Sequence, residues 1–192
     1  CTITNENGSY TGGIAGLTGA TVHGSFSKCT LSGKKYVGGI VGSGVQENVD
    51  GSGSSVRWNY SLVDITDCQQ YQGAISGSDT GTFEHNYYVS DDLPGINRQG
   101  YAGRAEPISY AELLTLPDLP ESMKSFTLTF VADDKTVLSR AFNYGDSIDE
   151  SDIPEPPAKI IPLRIIVQPS YTKFSDVATR SLSDGAFVSL SD

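Results

Sequence analysis

Three stretches of the chain carry nearly the same seven residues: YTGGIAG at Tyr10–Gly16, YVGGIVG at Tyr36–Gly42 and YQGAISG at Tyr71–Gly77. Within each copy small and apolar residues alternate, which is how a strand with period-two burial reads. Glycine weakens a strand, so glycines recurring at fixed places imply that another backbone passes close by or that φ is positive. Stacked copies satisfy both conditions. If each copy is one coil of a solenoid, Tyr10, Tyr36 and Tyr71 form a ladder, and Ile14, Ile40 and Ile75 form an interior row. Gly12, Gly13, Gly16, Gly38, Gly39, Gly42, Gly73 and Gly77 then sit at the corners. The copies begin 26 and then 35 residues apart, and a stacked architecture tolerates this because extra residues leave a coil as a loop.

The fold class expected is therefore mainly all-β. It consists of a short β-solenoid of about three coils over residues 1–105, a capping helix and linker over 106–122, and a small β-rich, β-grasp-like module over 123–192. The composition agrees, because Gly, Ser, Thr, Asn and Tyr dominate up to about Tyr101, and most of the prolines follow.

With 13 basic and 23 acidic side chains the formal charge is −10, a field that repels nucleic acid. No run of 18 apolar residues exists, so no membrane-embedded segment is expected. The first residue is Cys1 rather than Met, and the chain reads as a piece of a longer protein, with any signal peptide or anchor outside it. Three cysteines do not make a disulfide framework. Cys1, Cys29 and Cys68 each precede one copy, which suggests equivalent buried positions in successive coils rather than a metal site.

Between the second and third copies, ENVDGSGSSVRWNYS (Glu47–Ser61) reads as a Gly/Ser-rich excursion carrying the sole tryptophan. Arg57, Trp58 and Tyr60 are the candidate ligand-contacting residues, because amphipathic aromatics and arginine dominate binding hot spots. The alternative is that Trp58 folds back over the solenoid face.

The phrases YTGGIAG and GSFSKCTLSGKKYVGGIVG resemble the GLUG motif, a repeat of large bacterial surface proteins that include the non-catalytic regions of IgA-protease-type polypeptides. The resemblance spans roughly Gly8 to Val89. Ala74 and Ser76 depart from it, so an irregular last coil is expected. It implies a β-solenoid in a secreted or wall-associated protein and brings no catalytic residue.

Beyond the repeats, Ser109 and Glu112 form a capping box ahead of Leu113, Leu114 and Leu116, with Pro117 and Pro120 as stops. Such a helix suits the open end of a coil stack. Phe126, Leu128 and Phe130 alternate with polar residues. Asp133-Asp134 then marks a turn, and Thr136–Phe142 returns as the second strand of a hairpin. Tyr144, Gly145, Asp146, Ile148, Pro154 and Pro157 resemble the internalin B-repeat class, which implies a β-grasp-like spacer or ligand-contacting unit. A further strand is expected around Ile165-Ile166-Val167, and a second hairpin pairs Ala178–Leu182 with Ala186–Leu190.

No enzyme constellation assembles. His23 and His85 lie outside any zinc-protease motif, and no nucleophile elbow occurs. The carboxylates of Asp91-Asp92, Asp133-Asp134 and Asp149-Glu150 are adjacent in sequence and point to opposite faces. Asp64 and Asp67, three apart, are the best candidates for an acidic cluster on the coil surface, yet at strand spacing they face opposite sides unless a corner intervenes. Neither cofactor nor metal is expected. The reading is a non-catalytic fragment of a bacterial cell-surface or secreted protein, displaying a contact surface to a host or matrix protein or a glycan. The alternatives are a structural stalk or spacer of a larger secreted enzyme, and a polysaccharide-active β-solenoid enzyme.

Overall fold

The computed structural model describes residues 1–46, 53–97, 103–132, 135–143, 150–154, 163–168 and 188–190. The described residues are mostly β, with two short α-helices, and the chain divides into two compact units, Cys1–Met123 and Lys124–Asp192.

In chain order the first unit holds β1 (Thr2–Gly12), β2 (Ala15–Thr18), β3 (Thr21–His23), β4 (Phe26–Gly38), β5 (Val41–Gly44), β6 (Ser55–Arg57) and β7 (Tyr60–Gly73). Then come β8 (Thr82–Glu84), β9 (Asn86–Tyr88), β10 (Ala105–Pro107) and α1 (Tyr110–Leu114). These strands form three small, open sheets ordered β1-β4-β7-β9-β10, β2-β5 and β3-β6-β8. Every pairing within them is parallel. Parallel strands cannot be joined by a tight hairpin. Here the chain visits each sheet once per copy, so equivalent residues of successive copies lie side by side.

The three isoleucines fall in one row. Ile14 N–H donates to the Ile40 carbonyl at 3.0 Å, Ile40 N–H to Ile75 at 2.9 Å and Ile75 N–H to Gly95 at 2.8 Å. Ile40 and Ile75 are fully buried, whereas Ile14, in the edge copy, is 47% exposed. The third copy continues the β2-β5 sheet only as single bridges, Val41 to Ser76 and Ser76 to Ile96. The core of the unit gathers Leu31, Val37, Ile40, Val41, Val56 and Ile75.

The heptad glycines are small because of close approach rather than because of positive φ. In all three copies the left-handed residue is the tyrosine, with φ of 68° at Tyr10, 54° at Tyr36 and 66° at Tyr71. These rings stack in a ladder with centroids 5.0 and 4.8 Å apart. A Cβ on Gly38 would stand 2.0 Å from the Val41 carbonyl oxygen and 2.7 Å from the Gly77 nitrogen.

The cysteines do not occupy three equivalent positions. Thr2 pairs with Thr30, so Cys1 lies beside Cys29, and the two form a disulfide. The residue paired with Cys29 in the next copy is Val63, while Cys68 pairs with Gly33 and remains a free thiol. Burial raises the pKa of the Cys68 thiol. The disulfide joins two neighbouring copies across 28 residues, and closing a loop of that size stabilises by about 3.6 kcal/mol. Reduction, or Cys29→Ser, is expected to lower the urea midpoint of the first unit correspondingly, read by circular dichroism. An unchanged midpoint would contradict this.

Ser109 caps α1 as its spacing predicts. Its hydroxyl accepts from Glu112 N–H at 3.2 Å, and the Glu112 carboxylate accepts from Ser109 N–H at 2.8 Å. That backbone bond first, and then the Ser109 hydroxyl donating to the same carboxylate at 2.9 Å, lower the Glu112 pKa. Tyr110 and Leu113 are buried, and the Tyr110 hydroxyl donates to the Met123 carbonyl in α2 (Glu121–Lys124) at 2.6 Å. Lys28, whose pKa is lowered by burial, donates to the Ser122 carbonyl at 2.8 Å.

The second unit holds β11 (Ser125–Ala132), β12 (Lys135–Asn143), β13 (Leu163–Gln168) and β14 (Val188–Leu190), in the sheet order β12-β11-β13-β14. The expected hairpin is β11 with β12, and Phe126, Leu128 and Phe130 are its buried face. β13 adds to β11 antiparallel, and β14 to β13 parallel. Tyr144, Gly145, Asp146, Ile148 and Pro157 lie outside the described residues, as does 178–187 of the second expected hairpin.

Candidate functional site

Arg57, Trp58 and Tyr60 do not lie on a loop. They occupy the end of β6, a corner, and the start of β7. Residues 47–52 of that stretch lie outside the described residues. The register pairs His23 with Arg57 and Arg57 with Glu84, then Phe26 with Tyr60 and Tyr60 with Tyr87. Positions 24, 58 and 85 are thus equivalent, and all three are left-handed, with φ of 60° at Gly24, 57° at Trp58 and 51° at His85.

The cause of this corner is the residue that follows. Asn59 and Asn86 turn their side chains inward and are fully buried. The Asn59 Oδ1 accepts from Ser25 N–H at 3.0 Å, and its Nδ2 donates to the Val22 carbonyl at 3.0 Å. One copy on, Asn86 Oδ1 accepts from Asn59 N–H at 3.2 Å, and its Nδ2 donates to the Val56 carbonyl at 2.8 Å. Asn59 Nδ2 also donates to Asn86 Oδ1 at 2.9 Å, and Asn86 Nδ2 to the Arg104 carbonyl at 3.0 Å. A short amide side chain can thus satisfy the backbone groups that the turn leaves over. With the asparagine held inside, the preceding residue is thrown outward.

Trp58 is accordingly 44% exposed and stacks on His85 with centroids 4.4 Å apart. It neither waves on a flexible loop nor folds back over a sheet. On one side of the corner, Phe26, Tyr60 and Tyr87 form a second ladder, spaced 5.2 and 5.5 Å. Burial first, and the neighbouring Tyr87 second, raise the pKa of Tyr60. On the other side, the Arg57 guanidinium donates through Nε to Ser55 Oγ at 2.9 Å and through a terminal nitrogen to the same oxygen at 2.6 Å. Val56, between Ser55 and Arg57, points into the core.

The corner brings Arg57, Trp58 and Tyr60 together with His85, which stacks on Trp58, and with the buried amides of Asn59 and Asn86, and neither that stacking nor that burial was read from the sequence. The signal was a second repeat, VHGSFS at Val22–Ser27, VRWNYS at Val56–Ser61 and FEHNYY at Phe83–Tyr88, each carrying the left-handed residue in third place.

The acidic pair also departs from expectation. Leu31 pairs with Ile65 and Ser32 with Asp67, so Thr66 is an extra residue that bulges from β7. The bulge puts Asp64, opposite Thr30, and Asp67, opposite Ser32, on the same face of the sheet rather than on opposite faces. Among the described residues, no group of three or more His, Cys, Asp or Glu side chains stands close enough to hold a metal ion. None of their helices is long and apolar enough to cross a membrane.

No family model, curated protein or solved structure matches the chain.

Proposed function

We propose that the chain is a non-catalytic fragment of a bacterial cell-surface or secreted protein, whose first unit is a short β-solenoid displaying a ligand-contacting corner. The observation that carries this is Trp58, a large aromatic held at the surface by a left-handed backbone that a non-glycine residue adopts at a cost. A tryptophan whose role was only to fill a core would be turned inward. Arg57 and Tyr60 flank it, and the three supply the side chains that dominate recognition surfaces. The GLUG-like heptads and the internalin B-repeat-like segment support a surface location. The Cys1–Cys29 disulfide supports an oxidising compartment, since such bonds persist mainly outside the cytosol. The second unit acts as a spacer in this reading.

The test is a screen of the full chain against immobilised glycans and matrix proteins, repeated with Trp58→Ala. Binding that falls at least about tenfold in the variant, equivalent to about 1.4 kcal/mol, is the expected result. Binding that survives the substitution, or none at all, would overturn display through this corner and leave the structural-stalk reading, which the regular ring ladders favour.

A further inference from the structure

Each ring in a stacked ladder spends its faces on its neighbours and shows solvent only an edge. Tyr36, between Tyr10 and Tyr71, is one case, and Tyr60, between Phe26 and Tyr87, is another. Trp58 differs. One face of its indole rests on His85, in the following copy. The other face looks toward the preceding copy, where the equivalent position is Gly24. A Cβ built on Gly24 would meet no atom of the described residues within 4 Å, so among them the space where a side chain would start in this ladder is open. The corner therefore presents a free indole face beneath a vacant position one strand spacing high, about 4.8 Å.

We infer that this position takes one neutral hexopyranose ring of a glycan, stacked on Trp58 where a residue-24 side chain would otherwise lie. The inference rests on the display reading above and specifies its ligand. The chemistry fits on two counts. The axial C–H bonds of a pyranose make one face apolar, and an indole face is the complementary surface, apolar in body with a polar rim. The hydroxyls around the sugar's edge need hydrogen-bonding partners, and the adjoining row supplies them. His23 is exposed beside the position, and Arg57 has N–H donors beyond the two that Ser55 engages. A purely aromatic ligand would leave those donors unused.

Trp58 is the only tryptophan, so its fluorescence reports the site directly. The experiment titrates the full chain with methyl β-D-glucopyranoside, methyl β-D-galactopyranoside and methyl α-D-mannopyranoside, with N-acetyltyrosinamide as the aromatic comparison. At least one hexoside is expected to change the emission saturably. Gly24→His should weaken that response at least about tenfold by completing the ladder with its own ring. Histidine already holds the left-handed conformation at position 85. Gly24→Asn, whose side chain tolerates that conformation, is a second blocking variant should the first not fold. A linear response to every hexoside, a saturable response to N-acetyltyrosinamide alone, or a hexoside response untouched by both variants would overturn the assignment. If the hexosides fail while the immobilised screen still shows binding that depends on Trp58, only this ligand assignment falls. If both fail, the display reading falls with it.

Discussion

Gly38→Ala is expected to destabilise the first unit by about 4 kcal/mol or more. The added Cβ would lie 2.0 Å from the Val41 carbonyl oxygen, 2.7 Å from the Gly77 nitrogen and 2.7 Å from the Ser76 Cα. All three are backbone atoms, so no side-chain rotation relieves the overlap. The turn from Gly38 to Val41 would have to open and the next copy would have to withdraw, which strains the hydrogen bonds from Gly39 N–H to Gly73 and from Ile40 N–H to Ile75. Gly24→Ala is the contrasting control. It meets open space and carries only the left-handed backbone cost of about 1–2 kcal/mol. Urea unfolding followed by circular dichroism measures both. Equal losses in the two variants would show that conformation, and not close approach, is what these glycines provide.

Asn86→Ala should cost about 4 kcal/mol. The substitution takes away the side-chain bonds to the Asn59 N–H, one Asn59 amide hydrogen and the Val56 carbonyl, while the Arg104 carbonyl keeps its bond from the residue-86 N–H at 3.1 Å. The site is fully buried, and each stranded group costs about 1–3 kcal/mol, less whatever relaxation recovers. Asn86→Asp adds a test with a sign. A buried carboxylate facing two carbonyl oxygens is disfavoured as the anion, so its folded-state pKa is raised. The stability of that variant is then greatest below the ordinary carboxylate range and is lost as pH rises through the raised value. Unfolding midpoints that do not rise on acidification would argue that the introduced carboxylate finds donors the wild type does not use.

The heptads made much of the first unit legible, because a repeat constrains its copies to one another. From the spacing of Tyr10, Tyr36 and Tyr71 follow the ring ladder and the shared row of Ile14, Ile40 and Ile75. The alternation around Phe126 and Leu128 likewise marks the buried face of β11. Three features were hidden for physical reasons. A left-handed tyrosine contradicts the ordinary preference for glycine, so φ was assigned to the wrong residue of the motif. The bulge at Thr66 shifts β7 by one residue and reverses the expected facing of Asp64 and Asp67, which a strict period of two does not anticipate. The corner at Trp58 depends on Asn59 bonding to Val22 and Ser25, residues more than thirty positions away, and no local propensity expresses that. Glycine and serine around position 53 suggested a loop running to Ser61. The strand Ser55–Arg57 exists because Val56 has a buried seat prepared by the copies on either side.

The bond between Cys1 and Cys29 has a mechanical consequence. Tension applied at Cys1 does not peel β1 away residue by residue, because the covalent link passes the load straight to Cys29 in β4. The intervening 28 steps of chain, roughly 95 Å of contour at full extension, are shielded from the pull. The first segment to feel force is therefore the one whose neighbours grip it on both sides.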